Sequence, residues 1–299
     1  MNANAQALRD AVLQMPYAPS VFRQHLLIDC NGVTKPFRPD PWQEADFSAM
    51  DHAWMHAVGR WSGPPPEKRI FWGERPRSHS KTSDIGTMAA WAITFAARPV
   101  KGAAFARDER QSAILLEVLE KRIALNPWLG QFLSVQKSVV LNTQKPRPGP
   151  HPGPGGSRVE IFSADIGSAY GLLDIDFIIA DEVSHWRYPQ LWDLIWTTFG
   201  KRTNCTLSAI MNAGTLTHWS ADIREKMQRM PECYFSRLRG PIASWITEQQ
   251  LSEQRRGIST EHEFARLWLN EWQSSDEASV FRGPDIDACL DASVEAILV

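Results

Sequence analysis

Short apolar runs alternate with amphipathic segments along most of this chain, and that alternation restricts the fold more than any other feature of the sequence. Apolar runs with the length of buried strands begin near Arg69, Val100 and Asp176, and segments with helical periodicity lie between them. Strands that alternate with helices pair in parallel, because each helix returns the chain to the same edge of the sheet. We therefore predict an α/β fold with a mostly parallel sheet that is flanked by helices.

Proline-rich breakers and helix signals divide the chain into predicted regions. Residues 1–66 form a partly helical lead-in that ends at the sequence Gly-Pro-Pro-Pro. Residues 67–245 hold the alternating strands and helices of the core. Residues 246–299 form a helical C-terminal region, since helix starts with capping signals occur there at Thr247 and Thr260.

The composition is typical of a soluble globular protein with a large core, with 43% hydrophobic residues, 22% charged residues and a net charge of −2. This balance gives no sign of a nucleic-acid binder, although a local basic surface would be averaged away. The four cysteines lie far apart, so neither a disulfide framework nor a zinc site is indicated. No apolar stretch has the length of a membrane span or the form of a signal peptide, which predicts an intracellular protein without a membrane partner.

The segment 75–84, with the sequence RPRSHSKTSD, has the outline of a phosphate-binding loop between a strand and a helix. Such a loop directs backbone N–H groups at phosphate oxygens, while a lysine reaches the outer phosphates and the next hydroxyl holds magnesium. Lys81 and Thr82 occupy those positions. Arg75 and Ser80 stand where the common pattern has glycine, so a solvated basic turn is the alternative interpretation.

The apolar run that begins at Asp176 ends in adjacent carboxylates, Asp181 and Glu182. A buried parallel strand delivers such side chains to the crevice in which α/β sheets bind ligands. Asp181 would then belong to the magnesium shell, and Glu182 would orient and activate a water at the γ-phosphate of a nucleotide. The alternative is an acidic start of the following helix.

Two amide side chains accompany these segments. Gln43, which follows Pro41 and Trp42, has a donor and an acceptor that match the edge of adenine, and the alternative is a surface residue at a helix start. Asn212 ends another apolar strand beside that of Asp181, from where it would sense the γ-phosphate or the attacking water. For Asn212 the alternative is an ordinary turn at the end of a strand.

A proline- and glycine-rich loop at residues 143–158 carries basic residues and no acid. Lys145, Arg147 and Arg158 would contact the phosphate backbone of double-stranded DNA without reading its sequence. The alternative is an exposed insertion without a partner. Arg202, in a second basic segment, is a candidate for an arginine supplied to a neighbouring subunit.

In their order along the chain, these segments resemble the ATPase domain of the large terminase subunit of tailed phages, the motor that packages DNA into capsids. The resemblance covers about residues 38–290 and lies in the motifs PWQE, PRSHSKT, ARDERQS, SAYGLLDIDFIIADEVSHW and MNAGT. It implies a P-loop NTPase fold of the RecA/ASCE type. It also implies a magnesium-dependent ATPase, with ATP and Mg²⁺ as the bound ligands.

The resemblance assigns roles to the separate segments. Gln43 would bind adenine, and Thr82 and Asp181 would hold the magnesium ion. Glu182 would activate the attacking water, and Asn212 would couple hydrolysis to motion.

The resemblance also implies that an arginine of the loop swings toward the γ-phosphate. Arg77 is the first candidate for this role and Arg75 the second. Contacts to the nucleotide would come from the whole loop, by Arg77, Ser78, His79, Ser80, Lys81 and Thr82.

From the same resemblance we expect double-stranded DNA, a portal protein and a small terminase subunit as partners. We further expect a homo-oligomeric ring at the capsid, in the cytoplasm of an infected or lysogenic bacterium. Family members continue into a nuclease domain, whereas Asp285, Asp287 and Asp291 lack the spacing of a two-metal site, so we expect no DNA cleavage by this chain. Two alternatives stay open: another nucleic-acid-dependent ATPase such as a helicase, and a degenerate module that binds nucleotide or a partner without hydrolysis.

Overall fold

The computed structural model describes residues 3–30, 32–146, 149, 153–163 and 174–274. Arg147, Asp285, Asp287 and Asp291 lie outside this part of the chain, as does much of the motif that precedes Asp176. The described strands are β1 (Leu27–Cys30), β2 (Val33–Pro36), β3 (Ile70–Glu74), β4 (Lys101–Ala106), β5 (Leu133–Gln136), β6 (Val139–Asn142), β7 (Arg158–Ser163), β8 (Phe177–Asp181), β9 (Thr206–Met211) and β10 (Cys233–Arg237). The described α-helices are α1 (Ala3–Gln14), α2 (Pro19–Gln24), α3 (Pro41–Ala57), α4 (Lys81–Phe95), α5 (Glu109–Leu125), α6 (Gln190–Gly200), α7 (Trp219–Arg229), α8 (Glu248–Gly257) and α9 (Glu261–Phe264).

Eight strands form one sheet in the order β10-β3-β9-β8-β4-β7-β6-β5. The strands from β10 to β7 in this order are parallel, and the β5-β6 hairpin adds an antiparallel edge. The predicted mostly parallel sheet is therefore confirmed. From its composition, the segment 135–141 is predicted to form one strand. Instead, Lys137 has a left-handed φ of 48°, and the chain turns there into that hairpin.

The register of the sheet brings the carboxyl ends of its central strands together. Asp181 of β8 is level with Ile210 of β9, and Glu74 of β3 is level with Met211 of β9. The segments that follow these strands therefore start side by side at one edge of the sheet, where α/β folds bind ligands. The predicted phosphate-binding loop is one of these segments, and α4 begins directly after it.

Buried side chains on the strands alternate between two cores, one on each face of the sheet. Ile179 packs in the core formed with α1 to α5, whereas Ile178 and Ala180 pack in the core formed with α6 and α7. Burial on both faces explains why the central strands are continuously apolar rather than alternating in sequence. Among the described residues, no helix combines the length and the apolar character that crossing a bilayer requires.

The lead-in contains more regular structure than its sequence suggests. Helix α3 begins with a capping box, in which Asp40 is the N-cap, Pro41 the first helical residue and Gln43 the reciprocal partner. The β1-β2 hairpin packs against α5, and Trp91 of α4 donates to the carbonyl of Met15 at 2.8 Å. The lead-in thus completes the core around α4, while the division into three regions stays a prediction.

Glu74, at the end of β3, is 0% exposed and connects the sheet to the elements that cover it. Arg224 of α7 donates to its Oε1 at 2.6 Å, and Trp272 donates to its Oε2 at 3.2 Å. Trp72 of the same strand donates to Oε1 at 3.0 Å. A buried carboxylate is tolerated here because donors surround both of its oxygens.

We expect Arg224→Met to lower the free energy of unfolding by about 3 kcal/mol, because it removes the closest cation from a buried carboxylate. Urea denaturation measures this loss. Arg229→Met, on the same helix, is the matched control, since Arg229 is 81% exposed in its pair with Glu225. The control should cost no more than about 0.5 kcal/mol, and equal losses in the two variants would contradict the role given to Glu74.

Candidate active site

The phosphate-binding loop adopts a glycine-like backbone without glycine. Ser78 and Ser80 have φ values of 62° and 49°, in the left-handed region. This conformation costs a residue with a side chain about 1–2 kcal/mol, which the packed loop must offset. The missing glycine at position 80 therefore does not prevent the loop from forming, and Ser78 is a second strained position.

His79 fixes the loop to the region after β10. Its Nε2 accepts hydrogen bonds from the backbone N–H groups of Ile242 and Ala243, at 3.1 and 3.3 Å. Nδ1 must then carry the proton, which it donates to the carbonyl of Arg77 at 2.9 Å. Burial lowers the pKa of His79 to about 4, which keeps the ring neutral in this role. Both ring nitrogens are used within the protein, so His79 shapes the loop.

Arg75 is buried beneath the loop and holds two carboxylates. Its guanidinium lies 2.7 Å from Asp84 and 2.8 Å from Asp46, and it stacks 4.8 Å from the ring centre of Trp42. The role of Arg75 as the second candidate for the arginine that swings toward a phosphate stays a prediction that requires these contacts to break. Arg77, the first candidate, is exposed and lines the pocket described below.

Gln43 also lies beneath the loop, where both ends of its amide are occupied. Its Nε2 donates to the two oxygens of Asp84 at 3.0 and 2.9 Å, and its Oε1 accepts from the backbone N–H of Asp40 at 2.9 Å. Gln43 is not among the residues that line the pocket. In this arrangement it orients Asp84, and adenine binding by Gln43 stays a prediction that requires these bonds to break.

Lys81 brings the segments after β3, β8 and β9 together. Its ammonium, in a residue that is 8% exposed, donates to Oδ1 of Asn212 at 2.9 Å and lies 3.7 Å from Oε1 of Glu182. The loop carbonyl of Pro76 accepts from it at 3.3 Å. The pKa of Lys81 is lowered, because the effect of burial exceeds the opposite effect of the nearby Glu182 and Asp181 carboxylates. The structure thus joins three residues that the sequence placed in separate motifs.

Thr82 and Asp181 meet on the other side of the same helix start. The hydroxyl of Thr82 donates to Oδ2 of Asp181 at 2.9 Å. The second oxygen, Oδ1, is buried and has no hydrogen-bond partner among the described residues. Burial and the adjacent charge of Glu182 raise the pKa of Asp181 to about 7. An unpartnered buried carboxylate oxygen beside a hydroxyl fits a hard divalent cation that also binds phosphate, such as Mg²⁺.

The described residues contain no cluster of three or more His, Cys, Asp or Glu side chains that would hold a metal without further ligands.

Glu182 is held in an unusual backbone conformation, with a φ of 56°. Burial alone would raise its pKa, but the charge of Lys81 and a hydrogen bond from His185 lower the pKa to about 2. Nδ1 of His185 lies 3.3 Å from Oε2 of Glu182, and Nε2 of His185 lies 3.1 Å from Nη1 of Arg266. Arginine can only donate, so Nε2 accepts and the proton of a neutral His185 points from Nδ1 toward Glu182.

His185 and Arg266 are functional candidates that the sequence analysis missed. Arg266 is itself paired with Glu263 at 2.6 Å, so a chain of contacts runs from the C-terminal region to Glu182. His185 lies three positions after Glu182, and this short spacing in the sequence indicates that the two side chains are close. Arg266 lies 84 positions after Glu182 and carries no such signal.

These residues surround one open pocket with a volume of about 570 Å³. It is lined by Arg77, Ser78, His79, Ser80, Lys81, Thr82, Ser83, Arg107, Gln111, Ile114, Val118, Glu182, His185, Asn212, Glu263, Arg266 and Leu267. Asp181 lies behind Thr82, to which it is bonded. The pocket has the size of a small-molecule site. Its charged lining residues are four cations and two carboxylates: Arg77, Lys81, Arg107, Arg266, Glu182 and Glu263.

Of the residues predicted to touch DNA, those that the structure describes do not line this pocket. Arg158 begins β7, at the opposite edge of the sheet, and pairs with Glu160 at 2.6 Å. Lys145 is exposed, and Arg147 is outside the described residues. Arg202 forms an ion pair at 3.2 Å with Asp176, the residue just before β8. The roles in DNA contact and in a neighbouring subunit stay predictions.

Comparison with known proteins gives structural matches only. No protein-family model and no curated protein sequence matches this chain. The large terminase of bacteriophage HK97 matches with a TM-score of 0.65 at 19% identity, over 84% of this chain and 54% of that protein. The large terminase ATPase domain of Thermus phage P74-26 matches with a TM-score of 0.59 at 18% identity, over 79% of this chain and 94% of that domain.

The large terminase of a further thermophilic bacteriophage also matches, with a TM-score of 0.56 at 13% identity, over 78% of this chain and 53% of that protein. The same terminase in complex with ADP matches with a TM-score of 0.51 at 12% identity, over 74% of this chain and 53% of that protein. This chain thus spans about half the length of the HK97 protein and of this thermophilic-phage protein. The predicted resemblance is confirmed at the level of the fold: the chain has the α/β P-loop fold of a large terminase ATPase domain.

The neutral ring of His79 gives the protein a defined pH dependence. Because its pKa is lowered from 6.5 to about 4, the folded protein binds fewer protons than the unfolded chain between these values. The stability from this group is fully present above pH 6.5 and is lost progressively as the pH falls from 6.5 to about 4. In His79→Gln, which keeps an acceptor but does not titrate, the loss in free energy of unfolding between about pH 7 and about pH 4.5 should be smaller by about 2 kcal/mol.

Urea denaturation at the two pH values checks this expectation. His25→Gln, at an exposed histidine, is the control and should follow the unaltered protein. An identical loss in His79→Gln and in the unaltered protein would show that His79 is not held neutral by burial.

Proposed function

We propose that this protein is a magnesium-dependent ATPase of a phage DNA-packaging motor. The observation that carries the proposal is the convergence of Lys81, the pair Thr82–Asp181, and Glu182 on one pocket at the carboxyl edge of a parallel sheet. These groups are the set that phosphoryl transfer to water requires: a cation for the outer phosphates, ligands for magnesium, and a base for the attacking water.

The loop and the start of α4 would bind the triphosphate. The backbone N–H groups of the first helical turn point toward the pocket and carry the positive end of the helix dipole. Lys81 would exchange its bond to Asn212 for a phosphate oxygen, which frees the amide of Asn212 to report on the presence of the γ-phosphate. Arg77, exposed at the rim, supplies a further cation to the same phosphate group.

Thr82 and Asp181 would hold Mg²⁺ together with the nucleotide. When bound, Mg²⁺ neutralises charge on the outer phosphates and favours departure of ADP. Asp181 then binds as the carboxylate, because a nearby cation lowers the raised pKa that burial gives this group.

Glu182 is the group that activates water. Its low pKa keeps it as the carboxylate, which accepts the proton of a water molecule whose oxygen bonds to the γ-phosphorus. The bond from the γ-phosphorus to the bridging oxygen breaks, and ADP and inorganic phosphate leave. His185 keeps Oε2 of Glu182 in place, and therefore acts as a positioning residue.

The role in packaging is supported by the fold and by its neighbours. The structurally similar proteins are phage large terminases, and one of them is bound to ADP. We extend this to the present chain: ATP hydrolysis would drive double-stranded DNA into a procapsid, by a ring of subunits that contacts a portal protein and a small terminase subunit. The host cytoplasm would be the place of this reaction.

Glu182→Gln tests the proposed chemistry directly. We expect phosphate release from ATP and Mg²⁺ to fall by a factor of about 10²–10⁴, because the amide cannot accept a proton, while ATP binding is retained. Lys81→Ala should lose binding as well. Glu253→Gln, at an exposed position on α8, is the control. Phosphate release assays with and without DNA measure turnover. Full activity of Glu182→Gln would contradict the assignment of Glu182 as the group that activates water.

His185 can be tested through the identity of its replacement. We expect His185→Leu to lower kcat about tenfold at an unchanged KM, because Glu182 loses a donor that orients it. His185→Asn should recover part of the rate, since the asparagine Nδ2 lies near the place of the imidazole Nδ1. If Leu and Asn reduce kcat equally, or if both raise KM instead, His185 does not act through Glu182.

A further inference from the structure

One ion pair inside the active-site pocket has no role in the chemistry described above. Glu263 and Arg266 both line this pocket. Nε of Arg266 donates to Oε2 of Glu263 at 3.0 Å, and Nη2 donates to Oε1 at 2.6 Å. The two side chains are 25% and 19% exposed, respectively. A carboxylate is an unfavourable lining for a pocket that receives phosphates, so the position of Glu263 requires a physical reason.

The backbone around Arg266 is bound to the walls of the same pocket. The segment that contains it is a single π-helical turn, a rare form that is often found at functional sites. The carbonyl of the next residue, Leu267, accepts a hydrogen bond from the N–H of Arg77 at 2.7 Å. Asn270, which ends the turn, accepts one from the N–H of Ala213 at 2.8 Å. These bonds define the place of Arg266 in the site.

The guanidinium of Arg266 uses its two edges differently. Nη1 lies 3.1 Å from Nε2 of His185, whose other ring nitrogen lies 3.3 Å from Glu182. Nε and Nη2 form the edge that holds Glu263. Two parallel donors match the oxygens of a phosphate as well as those of a carboxylate. A phosphate can therefore replace Glu263 at this edge while the contact to His185 is kept.

A bound triphosphate would change the charge balance around Glu263. In the structure, the charge of Arg266 compensates this carboxylate. Negative oxygens of a γ-phosphate beside Glu182 and His185 would repel it at close range. Because the side chain of Glu263 is partly exposed, its rotation toward solvent relieves this repulsion without a displacement of the backbone.

We propose that Arg266 is a catalytic arginine of this site, and that Glu263 is the partner from which ATP releases it. The inference rests on the proposed ATPase function. With ATP bound, Nε and Nη2 of Arg266 donate to oxygens of the γ-phosphate and stabilise the negative charge that develops there when water attacks. Arg266 stays protonated, and no covalent bond to it forms or breaks. Unlike Arg77, it comes from the C-terminal region and contacts the residue that positions Glu182.

Arg266→Met tests the proposal with two ligands, each in the presence of Mg²⁺. ADP lacks the γ-phosphate, whereas ADP with aluminium fluoride imitates the phosphoryl group during its transfer. We expect kcat to fall about 10³-fold, and the Kd of ADP to change less than about twofold. In calorimetric titration, the affinity for ADP with aluminium fluoride should fall about tenfold or more. Arg256→Met, at an exposed arginine, is the matched control and should behave like the unaltered protein.

A double-mutant cycle separates contact with the phosphate from an effect through His185. If Arg266 touches the γ-phosphate, Arg266→Met should lower kcat about 10²-fold further in a His185→Leu background. An arginine that only positions His185 would add no loss in that background, and this result would overturn the catalytic role.

Glu263→Gln tests the pair that ATP is expected to break. Without the carboxylate, the guanidinium no longer has to leave an opposite charge. The Kd of ADP with aluminium fluoride should therefore fall about threefold, while the Kd of ADP stays unchanged. Glu261→Gln, on the same helix and 59% exposed, is the matched control. Weaker binding of the analogue to Glu263→Gln would show that Glu263 is not a partner that ATP displaces.

Two further outcomes decide between the inference and its basis. Full kcat in Arg266→Met, or equal weakening of ADP and of the analogue, would overturn the catalytic role of Arg266, since a purely structural residue affects both ligands. Retained ADP binding shows that the variant is folded. If the unaltered protein neither binds ADP nor releases phosphate, the proposed ATPase function itself fails, and the inference fails with it.

Discussion

The buried ammonium of Lys81 is the interaction on which the arrangement of the site depends. It contacts the loop after β3, Asn212 after β9 and Glu182 after β8, and therefore links the ends of all three strands. A cation can occupy so buried a place only because a carboxylate and aligned oxygens replace its water shell. The parallel register of the sheet provides those partners, since it sets the ends of β3, β9 and β8 level with one another.

A second polar layer beneath the loop fixes the start of α4. Arg75 bridges Asp46 and Asp84, and Gln43 bonds to Asp84 from α3. This layer explains how a loop without glycine keeps two left-handed serines, because its backbone is bound from below by groups that cannot move independently. The lead-in therefore helps to shape the candidate nucleotide site.

Residues of the C-terminal region contact the same site. The carbonyl of Leu267 accepts a hydrogen bond from the N–H of Arg77 at 2.7 Å, and Arg266 contacts His185, which in turn contacts Glu182. A displacement of this region would act on the loop and on Glu182 together. If the proposed ATPase motor is correct, this connection is a route by which hydrolysis at Glu182 would be coupled to movement of the C-terminal region.

Local patterns in the sequence were sufficient to predict the sheet and the proximity of several residues of the candidate site. Asp181 and Asn212 stand at the ends of apolar strands and Lys81 follows the loop after another, and parallel strands bring such positions to one edge. The role of Gln43 was harder to predict, because Asp-Pro-Trp-Gln also carries the signature of a capping box, which is what the structure shows. Arg266 could not be predicted, since only the packing of the C-terminal region brings it to the site.

The most direct test of the central claim is a crystal structure with Mg²⁺ and a non-hydrolysable ATP analogue. We predict that the ammonium of Lys81 leaves Asn212 for the outer phosphates. The metal should bind the hydroxyl of Thr82, with Asp181 as a ligand directly or through one water. An analogue bound elsewhere, or one that leaves the bond between Lys81 and Asn212 intact, would contradict the convergence of these groups on one triphosphate.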